Sequence, residues 1–400
     1  MFGLFSSDKT KGAVLQRIER DEETRLRQRY DIWYRTPERQ EGARVWVDGR
    51  EMLMMASNDY LGLGEHPKVI AAAKAAMEKW GTSTTGARLA NGSRSYHLDF
   101  EAKLATFLGK EACHVSAAGY ISCMSTAATF ATRGDVIVVD RNVHSSLWAG
   151  IQLSNARYER FAHNDATDLA NVLEAEPESV PILLVIEGVY SMEGHICPLP
   201  ELLEVAKARG SFVILDDAHG FGVMGAGRGT AAHFGKSEDV DIICGSLSKA
   251  LSSTGGFVAG SRATIEYLRT HSKQTIFSAA LSPAQTAAAS AALDVLQEEP
   301  EHIERLWDNT RYCKGLLDSL GIDTWASQTP AMPIVIGKRE RAYEVWKKLW
   351  DEGFFTVLAI SPAVPPGRDL IRTAVSARHR HEDFDRFAEA LSKALGTRRK

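Results

Sequence analysis

The apolar residues of this chain fall into short, nearly continuous runs that are separated by longer amphipathic segments. The clearest runs are Val136–Val139, Ile182–Ile186, Phe212–Leu215 and Ile242–Gly245. Short apolar runs without polar alternation are typical of strands that are buried on both faces of a parallel sheet. Because the segments between the runs have helical spacing, the pattern predicts an α/β fold with a mostly parallel sheet.

The residues before the first run predict an arm, a hairpin and a helix. Residues 9–35 are rich in Arg, Glu and Gln and carry apolar residues near helical spacing, which predicts an amphipathic arm. Asp48-Gly49 between extended residues predicts a hairpin turn. His66-Pro67 predicts the start of a helix to about Trp80, because proline favours the first helical turn. The apolar residues of the arm are Val14, Leu15, Ile18 and Leu26.

Helices and strands alternate differently in the last quarter of the chain. A long helical stretch runs from Ser282 to about Leu320, and strands are predicted near Pro333–Ile336, Phe354–Leu358 and Leu370–Ser376, with two helices among them. This pattern predicts a smaller α+β domain. The predicted limits are 1–60 for the arm and hairpin segment, 61–290 for the large domain and 291–400 for the small domain.

Composition and charge narrow the range of partners. The chain is 44% hydrophobic and 24% charged with a net charge of -4, which is typical of a globular enzyme and does not favour nucleic acid or an anionic membrane. The five cysteines form no CxxC pair, which predicts a reducing, cytoplasmic location without a disulfide framework or a metal site. No apolar run is long enough to span a bilayer. Met1–Phe5 could make a peripheral membrane contact, although a flexible or partner-packed terminus is favoured.

Polar residues follow the ends of several predicted strands. Asp216 and His219 come after one strand, Ser246 and Lys249 after the next, and His144 after a third. In an open parallel sheet, ligands bind in the crevice at the carboxyl ends of the strands. An acid, two imidazoles, a hydroxyl and an amine in one crevice predict a site for pyridoxal 5'-phosphate (PLP).

Each of these residues has a proposed role in such a site. Lys249 would form the Schiff base, since burial disfavours its charged form, and Asp216 would keep the pyridine nitrogen protonated. His219 would bond the phenolic oxygen, and His144 would stack on the ring. The alternatives are an exposed loop lysine, a helix-capping aspartate and structural histidines.

A phosphate requires backbone amides at the start of a helix together with hydroxyl groups. Gly119 and Tyr120 supply the predicted helix start, and Ser246 supplies a hydroxyl. An ordinary glycine turn is the alternative for Gly119.

Two other motifs suggest different chemistry. Gly220, Gly222 and Gly225 match the GxGxxG pattern of NAD-dependent oxidoreductases, but four residues separate them from the strand and no helix pattern follows. Ser246-Leu-Ser-Lys249 matches the SxxK pattern of penicillin-recognising serine hydrolases, whose companion SDN and KTG motifs are absent from the sequence. Neither motif is supported by its surroundings.

Several ordered motifs together resemble one enzyme family. They are Ser57-Asn-Asp-Tyr-Leu-Gly62, Gly81-Thr-Ser-Thr-Thr-Gly-Ala-Arg88, Glu187-Gly-Val-Tyr-Ser191, Asp216-Asp-Ala-His219, Gly227-Arg-Gly229 and Ser246-Leu-Ser-Lys249. This set resembles the α-oxoamine synthases, which are fold-type I PLP enzymes, over about residues 45–395. The resemblance implies a large domain with a mostly parallel seven-stranded sheet and a smaller C-terminal α+β domain.

The resemblance also implies roles for residues outside the predicted crevice. Ser191 matches a hydroxyl near the cofactor ring, and Ser278 matches a hydroxyl that reaches the phosphate from the partner subunit. A homodimer with shared active sites is therefore implied. Asn58 and Arg372 match the groups that hold the substrate carboxylate; a surface ion pair is the alternative for Arg372.

Within the family, the motifs are most similar to those of the bacterial serine palmitoyltransferases. The resemblance implies a decarboxylative Claisen-type condensation of a small α-amino acid, with serine favoured, and an acyl thioester of coenzyme A or an acyl carrier protein. The products would be an α-amino ketone and carbon dioxide. The chain departs from the pattern at Ile360, where those enzymes carry an arginine that engages the amino-acid carboxylate. Glycine or alanine as the substrate and a generic aminotransferase therefore remain open.

Overall fold

A seven-stranded sheet forms the centre of the protein, which is represented by a computed structural model that describes residues 8–21, 24 and 29–396. In chain order the strands are β4 (Ala112–Ser116), β5 (Val136–Asp140), β6 (Arg157–Phe161), β7 (Ile182–Glu187), β8 (Phe212–Asp216), β9 (Ile242–Ser246) and β10 (Gly256–Gly260). Their order across the sheet is β4-β10-β9-β8-β7-β5-β6. Only β10 runs antiparallel to its neighbours, so the predicted mostly parallel sheet is confirmed.

Helices cover both faces of this sheet. Those of the first 300 residues include α1 (Asp8–Glu19), α2 (Pro67–Trp80), α3 (Ser95–Leu108), α4 (Gly119–Phe130), α5 (Ser145–Ser154), α6 (Ala166–Glu174), α7 (Leu199–Ala208), α8 (Thr230–His233), α9 (Arg262–His271), α10 (Lys273–Ile276) and α11 (Pro283–Glu298). The central strands are buried on both faces, as their continuous apolar runs predict.

The C-terminal part contains α12 (Glu301–Ser319), α13 (Arg339–Asp351) and α14 (His381–Leu395) together with a small antiparallel sheet. This sheet has the order β11 (Ala331–Gly337), β14 (Asp369–Ala374) and β13 (Val357–Ala359). The predicted α+β pattern is therefore present. The helical stretch between Ser282 and Leu320 is divided at Pro300, since proline cannot continue the hydrogen-bond ladder of α11.

The prediction of one strand over Phe354–Leu358 is wrong. Phe354–Phe355 (β12) pairs in parallel with a strand near the N-terminus, whereas β13 pairs with β14. Between them, the carbonyl of Thr356 accepts a hydrogen bond from the Trp346 indole N–H at 3.2 Å. The chain therefore passes from one sheet to another at Thr356.

The predicted hairpin forms at Asp48-Gly49 and belongs to a separate four-stranded sheet. This sheet has the order β1 (Arg39–Glu41), β2 (Arg44–Val47), β3 (Arg50–Met54) and β12. It joins the N-terminal segment to the C-terminal part of the chain. The domain limits near residues 60 and 290 stay a prediction.

Only part of the predicted amphipathic arm falls within the described residues. Helix α1 carries Val14, Leu15 and Ile18, whose side chains are exposed. Leu26 and Met1–Phe5 lie outside the described residues. Among the residues that are described, no helix combines the length and apolarity needed to cross a bilayer.

The glycine-rich segment after β8 wraps around a buried carboxylate. Asp217 accepts hydrogen bonds from the Thr230 amide and hydroxyl, both at 2.7 Å. A Cβ on Gly220 or Gly229 would lie 2.0 Å from an Asp217 carboxylate oxygen, so only glycine fits at these positions. These two glycines therefore allow the chain to pass close to the Asp217 carboxylate. The segment does not form the strand-to-helix turn of a dinucleotide site.

A second buried carboxylate joins α3 to the edge of the sheet. Glu101 accepts hydrogen bonds from Arg88 at 2.7 Å, the Val115 amide at 2.8 Å and Arg269 at 2.9 Å. Burial alone would raise its pKa, but hydrogen bonds from His114 and Arg88 outweigh this effect and lower the pKa to about 2.

We expect Glu101→Gln to lower the free energy of unfolding by about 3–5 kcal/mol at pH 7, because it leaves the largely buried Arg88 without its counter-charge. The folded-state pKa is depressed, so the carboxylate stabilises the fold above the unfolded pKa of about 4.3. This stabilisation is lost as the pH falls through about 2. The difference between variant and wild type should therefore shrink below pH 4.3 in urea titrations.

Glu266→Gln provides a matched control, because Glu266 also pairs with Arg269 but has a side chain that is 55% exposed. An exposed ion pair contributes about 0–1 kcal/mol. Equal losses in the two variants would contradict the role assigned to Glu101.

Candidate active site

The carboxyl ends of β7, β8 and β9 lie side by side and form one wall of a cavity. Glu187 is paired in register with Asp216, and Asp216 with Cys244. The cavity has a volume of about 300 Å³. It is lined by most of the predicted site residues, namely Gly119, Tyr120, His144, Asp216, His219, Ser246 and Lys249.

Lys249 lies in the turn that follows β9 and is largely removed from solvent. Burial lowers the pKa of its amine, and the nearby negative charge of Asp216 acts in the opposite direction. A lysine in such surroundings loses its proton more readily than an exposed one, which an amine nucleophile requires. The alternative of an exposed loop lysine is thus not supported.

Asp216 and Asp217 are neighbours with different surroundings. Asp216 lines the cavity, is 4% exposed and accepts a hydrogen bond from the Ala218 amide at 3.0 Å. Asp217 is bonded to Thr230 and does not line the cavity. Asp217 is therefore engaged by Thr230, whereas Asp216 is available to a ligand.

His219 is held by a residue to which the sequence analysis gave no role. The hydroxyl of Tyr60 lies 2.8 Å from His219 Nδ1, and both side chains are buried. Burial, together with the positive charges of Lys249 and Arg372, lowers the pKa of His219 well below its usual value. The ring is therefore neutral at pH 7, and its Nε2 remains for a bond with a ligand.

His144 lies where α5 begins. Its Nδ1 accepts a hydrogen bond from the Ser146 amide at 3.2 Å, and its own amide donates to Glu187. The ring makes an edge contact with Tyr120 at a centroid distance of 6.2 Å. Two elements therefore fix the ring of His144 against the cavity.

The start of α4 approaches the end of β9 closely. Ala118, the residue that precedes α4, has no side chain that can cap the helix. A Cβ on Gly119 would lie 2.6 Å from Ser246 Oγ, so glycine is required for this approach. Ser246 Oγ lies 2.6 Å from Ser248 Oγ. Uncapped amides beside two hydroxyls suit a phosphate group.

A second cavity of about 640 Å³ adjoins the first and shares His144 and Glu187 with it. Ser191 and the loop Ser361–Pro366 lie on its wall. Burial, and then the charge of Asp216, raises the pKa of Glu187 well above its usual value. Glu187 thus lines both cavities. No role was predicted for it from the sequence, although it ends a buried strand, as Asp216 does.

Arg372 is brought together with Asn58 and Ser191. Its Nη2 donates to Asn58 Oδ1 and its Nε to the Ser191 carbonyl, both at 3.0 Å. Arg372 is 8% exposed, so it is not a surface arginine as the alternative supposed. Both of these contacts go to neutral acceptors, which leaves its positive charge for a ligand.

Two residues lie apart from this constellation. Ser278 does not line the first cavity, and its hydroxyl contacts only the Ala279 carbonyl, at 3.5 Å, within the described part of the chain. Ile360 is 4% exposed and packs in the apolar core. This position therefore supplies no charge to a substrate.

These residues fit PLP. A buried carboxylate and a buried lysine face one cavity, and the uncapped start of α4 lies beside Ser246. The carboxylate suits the pyridinium nitrogen, the amine suits the aldehyde carbon and the helix start suits the phosphate.

Comparisons with known proteins agree with this fit. The family model described as aminotransferase class I and II matches residues 50–391. A serine palmitoyltransferase of Sphingobacterium spiritivorum is 38% identical over 390 residues, which are 96% of this chain and 97% of the relative. An 8-amino-7-oxononanoate synthase of Bacillus velezensis is 40% identical over 358 residues, which are 89% of this chain and 92% of the relative.

Solved structures show the same likeness. A PLP-bound serine palmitoyltransferase of S. paucimobilis superposes with a TM-score of 0.91 at 31% identity and covers 95% of this chain and 98% of its own. The serine palmitoyltransferase of Sphingomonas wittichii gives a TM-score of 0.90 at 31% identity, with 93% and 95% covered. The cofactor of this protein is PLP. The chain belongs to the aminotransferase class I and II family and is an α-oxoamine synthase, a PLP-dependent acyltransferase.

Proposed function

We propose that this protein condenses serine with a long-chain acyl thioester and releases carbon dioxide and an α-amino ketone. One observation carries the proposal: the cavity that holds the cofactor residues adjoins a larger one, and His144 and Glu187 line both. The smaller cavity suits the cofactor and a small amino acid. The larger one suits the bulky thioester that must meet them.

The roles of the cofactor residues follow from their surroundings. When bound, PLP supplies an electron sink for the carbanion formed at the α-carbon of the amino acid. Lys249 holds the cofactor and, once displaced, removes the α-proton as a neutral amine. Asp216 keeps the ring nitrogen protonated, and His219, oriented by Tyr60, bonds the phenolic oxygen. His144 stacks on the ring and assists at the thioester carbonyl.

Arg372 holds the amino-acid carboxylate. Its planar fork is oriented by Asn58 and by the Ser191 carbonyl, and its charge has no carboxylate partner in these contacts. Since Ile360 contributes no charge, carboxylate recognition depends on Arg372 more heavily than the bacterial serine palmitoyltransferase pattern implies.

A second candidate is the condensation of alanine with a shorter acyl thioester, as in 8-amino-7-oxononanoate synthases. The 40% identity to the Bacillus velezensis relative favours it, as does the departure at Ile360. Both candidates share the carbon–carbon bond formation and differ in the amino acid and the acyl chain.

A panel of serine, alanine and glycine, each tested with long and short acyl thioesters of coenzyme A and of acyl carrier protein, distinguishes the candidates. We expect serine with a long acyl chain to give the highest kcat/KM. Label from the amino-acid carboxyl group should leave as carbon dioxide, which no aminotransferase reaction releases.

The highest kcat/KM with alanine and a short acyl chain would support the second candidate instead. Transfer of the amino group to a keto acid, with the carboxyl label retained, would overturn both candidates.

Replacement of Arg372 tests the proposed carboxylate site. Arg372→Ala should weaken amino-acid binding by about 10- to 150-fold, because a hydrogen bond to a charged group contributes about 1.5–3 kcal/mol. Arg372→Lys should recover part of the loss, since it keeps the charge but not the fork. The dissociation constant is measured from the change in cofactor absorbance as amino acid is added.

Arg368→Ala is the matched control, because Arg368 is an exposed arginine of the same region that lies over Trp325. It should leave amino-acid binding unchanged. If Arg372→Ala binds the amino acid as wild type does, Arg372 does not hold the carboxylate.

We also propose that the active protein is a homodimer in which Ser278 of one subunit reaches the phosphate site of the other. In support, Ser278 lies away from the cavity of its own chain. Phe277 beside it is 85% exposed, and a partner subunit would cover this ring.

Mixed dimers test this arrangement. Lys249→Ala removes the Schiff-base amine, and Ser278→Asp sets a negative charge against the phosphate, so each variant alone should lose nearly all activity. A dimer with one subunit of each type contains one site with both Lys249 and Ser278. Mixing after mild unfolding and reassembly should therefore restore activity, to about a quarter of wild type for random pairing of equal amounts.

No restoration, although mixed dimers are detected by mass spectrometry, would contradict the shared site. A mixture of Lys249→Ala with Lys249→Ala, treated in the same way, is the control and should stay inactive.

A further inference from the structure

Outside the active site, two histidines and a glutamate meet between α2 and the junction of α11 and α12. Glu299 Oε2 lies 3.3 Å from His66 Nε2 and 3.5 Å from His302 Nε2. All three donor atoms lie within 4.8 Å of one another. The side chains are only 16–25% exposed, so the cluster is partly shielded from solvent. Three potential ligand atoms thus face a common point.

One ring nitrogen of His302 is engaged by the backbone. Its Nδ1 lies 3.1 Å from the Leu61 carbonyl oxygen, which can only accept, so Nδ1 carries a hydrogen. In the neutral ring, Nε2 then carries the lone pair, and this nitrogen lies 3.5 Å from Glu299 Oε2. Two acceptors that face each other are held together by a cation between them, either a proton on Nε2 or a metal ion. An imidazole that donates its other N–H to a backbone carbonyl is also the usual state of a metal ligand.

His66 is free to adopt the same form. Its Nδ1 is buried and has no hydrogen-bond partner among the described residues, so a hydrogen can move to Nδ1 when an ion takes the place of the Nε2 contact with Glu299 Oε2. Nε2 can therefore present its lone pair to an ion.

The distances favour a metal ion over a simple ion pair. Charge-assisted N–H···O bonds are about 2.7–2.9 Å long, and both contacts to Glu299 Oε2 exceed this range. Two ligands placed about 2.0–2.1 Å from a zinc ion at a tetrahedral angle lie about 3.4 Å apart. The two contacts to Glu299, 3.3 and 3.5 Å, match that separation, and the two histidine nitrogens lie within 4.8 Å of each other.

Lys68 is the cation that an added ion must compete with. Its Nζ lies 2.8 Å from Glu299 Oε1, which is not the oxygen that faces the histidines. The Lys68 side chain is 55% exposed, so it can move into solvent. An ion bound to Glu299 Oε2 therefore does not occupy the place of the Lys68 ammonium group. The positive charge of Lys68 nevertheless weakens the binding of a cation.

We propose that His66, Glu299 and His302 bind a divalent transition-metal ion of the zinc type. Imidazole ligands select zinc, cobalt, nickel and copper over magnesium and calcium, and water supplies the remaining position. The ion fastens the start of α2 to the junction of α11 and α12. The cysteine pattern predicted no metal site, but the proposed ligands are not cysteines, and His66 is 233 positions away from Glu299 in the chain.

The test uses the full-length, PLP-loaded protein after removal of metal with a chelator. Titration with Co²⁺ should give visible d–d absorption that saturates at one ion per chain and is displaced by Zn²⁺. His66→Ala and His302→Ala should each weaken binding tenfold or more. Lys68→Met should tighten binding, because it removes the competing charge. Millimolar Mg²⁺ or Ca²⁺ should not displace Co²⁺.

His381→Ala is the matched control, because His381 is an exposed histidine that also pairs with a carboxylate, that of Asp308. The His381→Ala variant should bind Co²⁺ with the affinity of wild type. Any Co²⁺ bound by the cofactor itself is present equally in this control and in the ligand variants. Saturating Zn²⁺ should raise Tm in wild type and in this control, but not in His302→Ala.

The proposal is overturned if wild type binds no Zn²⁺ at millimolar concentration. It is equally overturned if the affinity is the same in His66→Ala and His302→Ala. If these two variants do not fold, Glu299→Gln and Lys68→Met decide the question, since Glu299→Gln must weaken binding and Lys68→Met must tighten it.

Discussion

The parallel pairing of β7, β8 and β9 is the constraint on which the active site depends. It aligns the ends of the strands, so that Glu187 and Asp216 lie side by side and Ser246 follows on the next strand. A shift of β8 by one residue would turn Asp216 to the opposite face of the sheet. The dense apolar packing of these strands therefore determines the position of the carboxylate that the cofactor needs.

Burial has two effects at this edge of the sheet. It stabilises the strands, and it lowers the pKa values of Lys249 and His219, which favours the neutral form of each. Polar groups in such surroundings need partners, and distant segments supply them: Tyr60 bonds His219, and Thr230 bonds Asp217. Segments outside the sheet thus supply the hydrogen bonds that buried polar groups at the strand ends need.

The strand ends and most of the cofactor residues could be predicted from the sequence, because strand patterns are local and parallel strands end at a common edge. The Tyr60–His219 bond and the Arg372–Asn58 bond join residues 159 and 314 positions apart, and no local pattern indicates such pairs. The division of Phe354–Leu358 likewise reflects pairing with two different sheets, which no local pattern indicates. Ser278 lacks a local signal because its proposed target belongs to another subunit.

The loop Ser361–Pro366 is more exposed to solvent than the strand ends that form the other wall of the active site. Pro362, Ala363, Pro365 and Pro366 are exposed, whereas Ile360 before the loop and Asp369 after it are buried. Sequence change at these four exposed positions thus leaves the core untouched, but change at the buried Val364 or at the two ends of the loop does not. An enzyme built in this way can evolve, or be engineered by loop libraries, toward new acyl donors while the cofactor chemistry is inherited unchanged.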